Sequence, residues 1–224
     1  MALQHSPSII TNGLVYCSDP VNLRSYPGTG TTLFDISNSG YTGILTNGPV
    51  YTSGINGYFT YDGVDDRVVT SFSPNNLSAT WEAWVYCTQN ISTYNMFMGS
   101  YLPYFGFYNG NSLIFSNTIG SGQQTIFATS TLSLNTWYYT CFTTQQSGSN
   151  TIASIYVNGV LDTQSTLTGL QNAPSYPFGI GDGEASFTWY PFKGRIGPVK
   201  LYNRTLSPSE ILQNFNAIRG RYGI

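Results

Sequence analysis

The sequence predicts an antiparallel β-sandwich closed by one short C-terminal helix, on three observations. Aromatic residues make up 16% of the 224 residues, led by 18 Tyr and 13 Phe, and flat side chains suit a pleated, half-buried surface. Apolar runs of strand length recur between turn residues along the whole chain. The connections are tight turns without intervening helices, which excludes a parallel α/β sheet.

The predicted strands cover residues 13–17, 58–61, 67–71, 80–88, 94–98, 104–108, 112–117, 124–129, 136–144, 151–157 and 195–202. Asn158-Gly159 separates Ser-Ile-Tyr-Val from Val-Leu-Asp, a hairpin signal because both turn residues accept positive φ. Asn109-Gly110 reads the same way, and residues 145–150 join two further antiparallel strands. Residues 26–32 and 37–42, rich in Gly, Thr and Ser, read as long loops.

One helix is expected near the end. Ser207-Pro208-Ser209-Glu210 combines an N-cap serine, proline at the first helical position and a capping-box glutamate. Ile211, Leu212, Phe215 and Ile218 follow on one face, and Gly220 supplies a left-handed stop. A helix this short must dock its apolar face on the sheets. No linker interrupts residues 13–224, read as one domain behind an N-terminal arm of residues 1–12.

Charged residues are only 8% of the chain, with Lys+Arg 8, Asp+Glu 10 and a net charge of -2. That leaves no basic stripe for a phosphate backbone, so nucleic acid is excluded as a partner. No apolar run approaches the roughly 18 residues that would span a bilayer, so no membrane partner is expected either. The first residues show no basic or apolar signal region, so no secretory signal is expected. Cys17, Cys87 and Cys141 are an odd set without metal-ligand spacing, read as reduced, buried small hydrophobes.

Several segments carry a resemblance. Gly13-Leu-Val-Tyr-Cys-Ser-Asp19, Tyr41-Thr-Gly-Ile-Leu-Thr-Asn-Gly-Pro49, Phe59-Thr-Tyr-Asp-Gly-Val-Asp-Asp-Arg67, Ala79-Thr-Trp-Glu-Ala-Trp-Val85, Asn135-Thr-Trp-Tyr-Tyr139 and Ile155-Tyr-Val-Asn-Gly-Val160 occur in this order. Together with Phe192-Lys-Gly-Arg-Ile-Gly197 they resemble LamG-like (laminin G-like) domains of the concanavalin A-like superfamily. The resemblance implies a two-sheet jelly roll. Tyr139 stands where that family often has His. The ending, from Glu210 to Ile224, resembles LamG-like proteins of tailed bacteriophages, particularly marine and cyanobacterial ones. That implies a place on a virion surface, as capsid decoration or tail-fibre component, with other virion proteins and further copies of the chain as partners.

Catalytic chemistry finds little material. His5 is the only imidazole and lies in the arm, so a nucleophilic triad lacks its base. Glucanases on this fold carry a Glu-x-Asp-x-x-Glu strand, and glycoside hydrolysis needs two facing carboxyls. Here Glu82 stands without an acid two or five residues away and reads as structural, so no catalytic residue is assigned. Asp62, Asp65 and Asp66, or Asp35 with Ser37 and Asn38, offer oxygen donors for calcium, although Asp-Gly is equally a turn. No metal site or cofactor is assigned.

Sugar binding has better grounds. It needs exposed aromatic faces with amides or carboxylates nearby. Asp182, Trp189 and Tyr190 lie in one loop, and Tyr101 with Tyr104 forms a second aromatic rim. The expected function is therefore a non-catalytic structural or binding protein on a phage particle that touches host glycans. The alternative is a lectin module of a bacterial cell-surface system, with a glycoside hydrolase third.

Overall fold

The computed structural model describes residues 7–74, 78–89, 94–109, 111–172, 176–183 and 190–224. Among these the strands are β1 (Leu14–Ser18), β2 (Thr32–Phe34), β3 (Thr42–Thr46), β4 (Val50–Thr52), β5 (Tyr58–Asp62) and β6 (Arg67–Thr70). They continue as β7 (Ala79–Cys87), β8 (Asn95–Gly99), β9 (Tyr104–Tyr108), β10 (Ser112–Ile119) and β11 (Gly122–Thr131). The last are β12 (Trp137–Ser147), β13 (Asn150–Val157), β14 (Val160–Leu167), β15 (Gly179–Ile180) and β16 (Lys193–Tyr202), followed by helix α1 (Pro208–Ile218).

They form two antiparallel sheets. The first runs β14-β13-β12-β7-β16-β5-β4, with β1 also paired to β16, and the second runs β11-β10-β9-β8-β15-β6-β3-β2. The predicted β-sandwich is therefore present. Asn158 and Gly159 turn between β13 and β14 with φ of 50 and 79, the paired positive values the hairpin requires. Tyr108 pairs with Ser112 across the expected second hairpin, whose Gly110 lies outside the described residues. The loop reading of residues 26–32 and 37–42 needs correcting at its ends, because Thr32 opens β2 and Thr42 opens β3.

Strand alternation sets the core. Along β7, Ala79, Trp81, Ala83, Val85 and Cys87 point between the sheets, where they meet Phe97, Phe105, Phe115 and Phe142. Phe115 and Phe142 stack across the two sheets with ring centroids 3.5 Å apart. Trp84 points the opposite way and packs beneath α1 with Tyr139, Ile211, Phe215 and Tyr222. This strand is buried on both faces because the helix covers the outer one.

The helix has its capping box, with Ser207 Oγ accepting from the Glu210 amide and the Glu210 carboxylate accepting from the Ser207 amide. Two expectations fail in detail. Leu212 is exposed, and the buried position goes to Asn214, whose amide donates to Glu82 Oε1 at 2.8 Å. Gly220 is not left-handed; the helix instead tightens into a 3-10 turn at Arg219–Arg221, and positive φ occurs at Gly223. Residues of the N-terminal arm lie along α1: Ile10 N donates to Asn214 Oδ1, and Gln213 Nε2 donates to the Ser8 carbonyl.

Candidate functional site

The outer face of the second sheet, over β8 to β11, collects aromatic and neutral polar side chains. Alternation along β9 sends Phe105 and Phe107 inward to the core and leaves Tyr104, Gly106 and Tyr108 outward. Register adds Ser116 and Ile114 of β10 opposite Tyr104 and Gly106, and Thr125 and Phe127 of β11 beyond them. Met96 of β8 pairs with Gly106 so closely that a Cβ at 106 would lie 2.5 Å from the Asn95 carbonyl oxygen. Glycine is thus required where the two backbones approach.

Rings form a continuous row over this floor. Tyr94 lies 4.6 Å from Tyr190 and 4.8 Å from Tyr108, and Tyr108 lies 5.6 Å from Phe127. Phe127 is 46% exposed, while Tyr94, Tyr108 and Tyr190 are half-buried. Beside the row runs a hydrogen-bonded polar strip. Gln123 Nε2 donates to the Tyr104 hydroxyl at 2.9 Å and to Ser116 Oγ at 2.8 Å, and Ser116 Oγ lies 2.8 Å from Thr125 Oγ1. Burial raises the Tyr104 and Tyr190 phenols, so both stay neutral donors and acceptors.

Of the residues singled out in the sequence, Tyr104 and Tyr190 meet, with centroids 6.2 Å apart. Tyr104 is buried and reaches the face through its hydroxyl. Tyr101 packs against Tyr176 at 5.3 Å, and its amide donates to the Gly183 carbonyl, which ties it to the loop that carries Asp182. Asp182 is 1% exposed, so it cannot present a carboxylate to a ligand at the surface; its Oδ1 accepts from the Gly183 and Tyr190 amides and shapes the loop. Trp189 lies outside the described residues, as does Glu184. Sequence reasoning missed Tyr94, Tyr108, Gln123 and Phe127. The period-two spacing of Tyr104 and Tyr108 was the available signal for one of them.

The oxygen clusters behave differently from one another. Asp62, Asp65 and Asp66 each bring a carboxylate oxygen within 4.8 Å of the others. Burial, with Asp62 and Asp65 adding repulsion, raises the Asp66 carboxyl despite a hydrogen bond from the Asp62 amide. Oxygen donors suit calcium, but three carboxylates fall short of its usual six to eight ligands. Gly63 turns here with φ 79, and the Val64 amide donates to Asp62 Oδ1, so the Asp-Gly turn is present. Asp35 braces its own loop by accepting from the Cys17 and Ser37 amides.

Glu82 faces the helix rather than a cleft. It is bound by Lys200 and Asn214. Two recesses lie on the outer side of the first sheet. One, of about 380 Å³, is lined by Thr143, Ser154, Gln164 and Arg204 beside the start of α1. The other, of about 320 Å³, lies between the arm, Cys17, Lys200 and Arg221. The three cysteines are free and buried.

The two antiparallel sheets and the short C-terminal helix define the class, a concanavalin A-like jelly-roll sandwich. The chain belongs to the concanavalin A-like lectin/glucanases superfamily, through a laminin G family of that description matching residues 53–212. No curated protein matches it in sequence. Its fold is similar to the binding domain of Paraclostridial Mosquitocidal Protein 1, with TM-score 0.72, 15% identity, and 92% of this chain covering 52% of that one. It is also similar to domain 4 of AbnA, a GH43 extracellular arabinanase from Geobacillus stearothermophilus in complex with arabinotriose. There the TM-score is 0.66, identity 16%, and coverage 90% of this chain and 97% of that one. Trypanosoma rangeli sialidase in complex with the inhibitor DANA matches with TM-score 0.65, 15% identity, and coverage of 95% and 35%. The chain thus spans about half of the toxin binding domain and a third of the sialidase, and at these identities the likeness is one of fold.

Proposed function

We propose that this chain is a non-catalytic glycan-binding domain whose site is the outer face of β8 to β11. The observation that carries the reading is the row Tyr190–Tyr94–Tyr108–Phe127 running beside the Tyr104–Gln123–Ser116–Thr125 strip. Exposed rings accept the apolar face of a sugar, and neighbouring amide and hydroxyl groups pair with its hydroxyls. The arabinotriose complex of the AbnA domain supports the reading as a fold-level analogy. The role is non-catalytic because Glu82, the strand glutamate, is sealed beneath α1 and bound by Lys200; hydrolysis needs two carboxyls flanking one bond.

Isothermal titration against arabinan, glucan and mannan oligosaccharides tests it. Binding that falls at least tenfold in Tyr108→Ala and Phe127→Ala, with melting temperature retained, is expected. Binding unaffected by both substitutions overturns the placement.

The setting we propose is a tailed-phage particle, in contact with other virion proteins and further copies of the chain. Its support is the sequence of residues 210–224 and the 8% charged content, which leaves few floppy charges at a packed interface. Mass spectrometry of purified particles tests this; absence of the chain from particles of its source phage contradicts it.

A further inference from the structure

We infer that the face on β8 to β11 selects uncharged glycans over sialylated, uronate-bearing or sulfated ones, an inference that rests on reading this face as a glycan site. Between Arg67 and Lys193 the sequence contains no Lys or Arg at all. Strands β8 to β11 and the loop through Asp182 all come from that stretch. The side chains offered by the face are therefore phenols, amides, hydroxyls and apolar rings.

An anionic sugar is normally met by a guanidinium fork or an ammonium group, because a desolvated carboxylate or sulfate without a cation is strongly disfavoured. The chain's eight cations all come from outside that stretch. Lys193, Arg195 and Lys200 belong to β16 of the other sheet, where Arg195 sits over the Tyr58 and Tyr86 rings and Lys200 binds Glu82. Arg204 binds Glu210, Arg221 binds Asp19, Arg219 lies over Phe215, and Arg24 is in an early loop. The one cation in the same sheet is Arg67 of β6, which is separated from β8 by β15 and donates to the Asp65 carbonyl. Neutral hydroxyls match the Tyr104, Gln123, Ser116 and Thr125 groups without any unbalanced charge.

A glycan array carrying neutral arabinan, glucan and mannan chains beside sialylated, uronate and sulfated ones tests this with the full chain, followed by titration of the best neutral and best acidic hits. The expected result is neutral hits at least tenfold tighter than acidic ones, with affinity changing less than twofold between about 50 and 500 mM salt, since screening acts only on charge. Acidic hits that bind more tightly, weaken with salt and are lost in Arg67→Gln overturn the inference while leaving the glycan reading standing. An array with no hits of either kind sinks the glycan reading and this inference with it.

Discussion

Lys200 of β16 lies directly opposite Glu82 of β7 in register, with Nζ 2.8 Å from Oε2 and both side chains buried beneath α1. Asn214 of the helix donates to the other carboxylate oxygen, and also to the Tyr202 hydroxyl. The ion pair and the Asn214 bonds thus tie the outer face of the first sheet to the helix.

Removing one partner leaves the other charged and dry. Lys200→Met or Glu82→Leu is expected to lower stability by about 3–5 kcal/mol, whereas the double variant recovers much of that loss. Urea unfolding of the three variants measures it. Additive losses in the double variant would show that the two charges do not depend on each other.

Asp162 holds the open edges of the sandwich together. From β14 its carboxylate accepts from the Thr129 amide at 2.6 Å and the Ser130 amide at 3.1 Å, both on β11 of the other sheet, and from the Thr163 hydroxyl. Burial works against the charge, but hydrogen bonds from Ser130, Thr129 and Thr163 outweigh it and lower the carboxyl. Asp162→Ala is expected to destabilise by about 1.5–3 kcal/mol, the range for hydrogen bonds to a charged group. Amide exchange should accelerate first along β11 and β14; uniform exchange with unchanged stability would refute the pin.

The thiols are set for inertness. Burial pushes Cys17 up to about 12, with Lys200 opposing, and raises Cys141 well above its usual range. Cys87 is raised by burial too, against its hydrogen bonds with the Gln89 carbonyl and the Asn95 amide. In native protein at neutral pH none of the three should react with a thiol-specific dye within the time that unfolded chain labels fully. Rapid native labelling of Cys17 would place the 320 Å³ recess open to solvent at its floor.

Acid stability should reflect Glu210. Arg204 Nη2 lies 2.6 Å from its Oε1, and this contact, with the Ser207 amide, holds the carboxyl at about 2 although burial opposes it. The folded value lies below the unfolded value near 4.5, so the stabilisation is complete above 4.5 and fades as pH falls toward 2. The group is partly exposed, so the contribution is about 1 kcal/mol. Glu210→Gln should lose that amount at neutral pH and show a shallower decline below 4.5 in pH-dependent unfolding; a parallel decline would contradict the assignment.

The long strands were legible because their side chains alternate, and the helix because its capping box is local. The short strands β2, β3, β4 and β15 were not predicted, because two to five residues set among Gly, Ser and Pro give too little alternation to read, and β14 was signalled only by the Asn158-Gly159 turn that precedes it. Of the proposed face, part was legible. Tyr104 and Tyr190 were read as aromatics near a loop, but joining them to Tyr94, Tyr108 and Phe127 requires the register of β8 to β11, which no local pattern encodes. Asp182 read as a ligand contact because a loop acid between glycines resembles an exposed one, and only burial shows its use by backbone amides.

The most direct test of the glycan face is its location by chemical-shift mapping of the labelled chain titrated with arabinotriose or the best array hit. Shifts are predicted at Tyr94, Tyr108, Gln123, Thr125 and Phe127. Shifts confined to the opposite sheet, at Thr143, Ser154, Gln164 and Arg204 around the 380 Å³ recess, would contradict it.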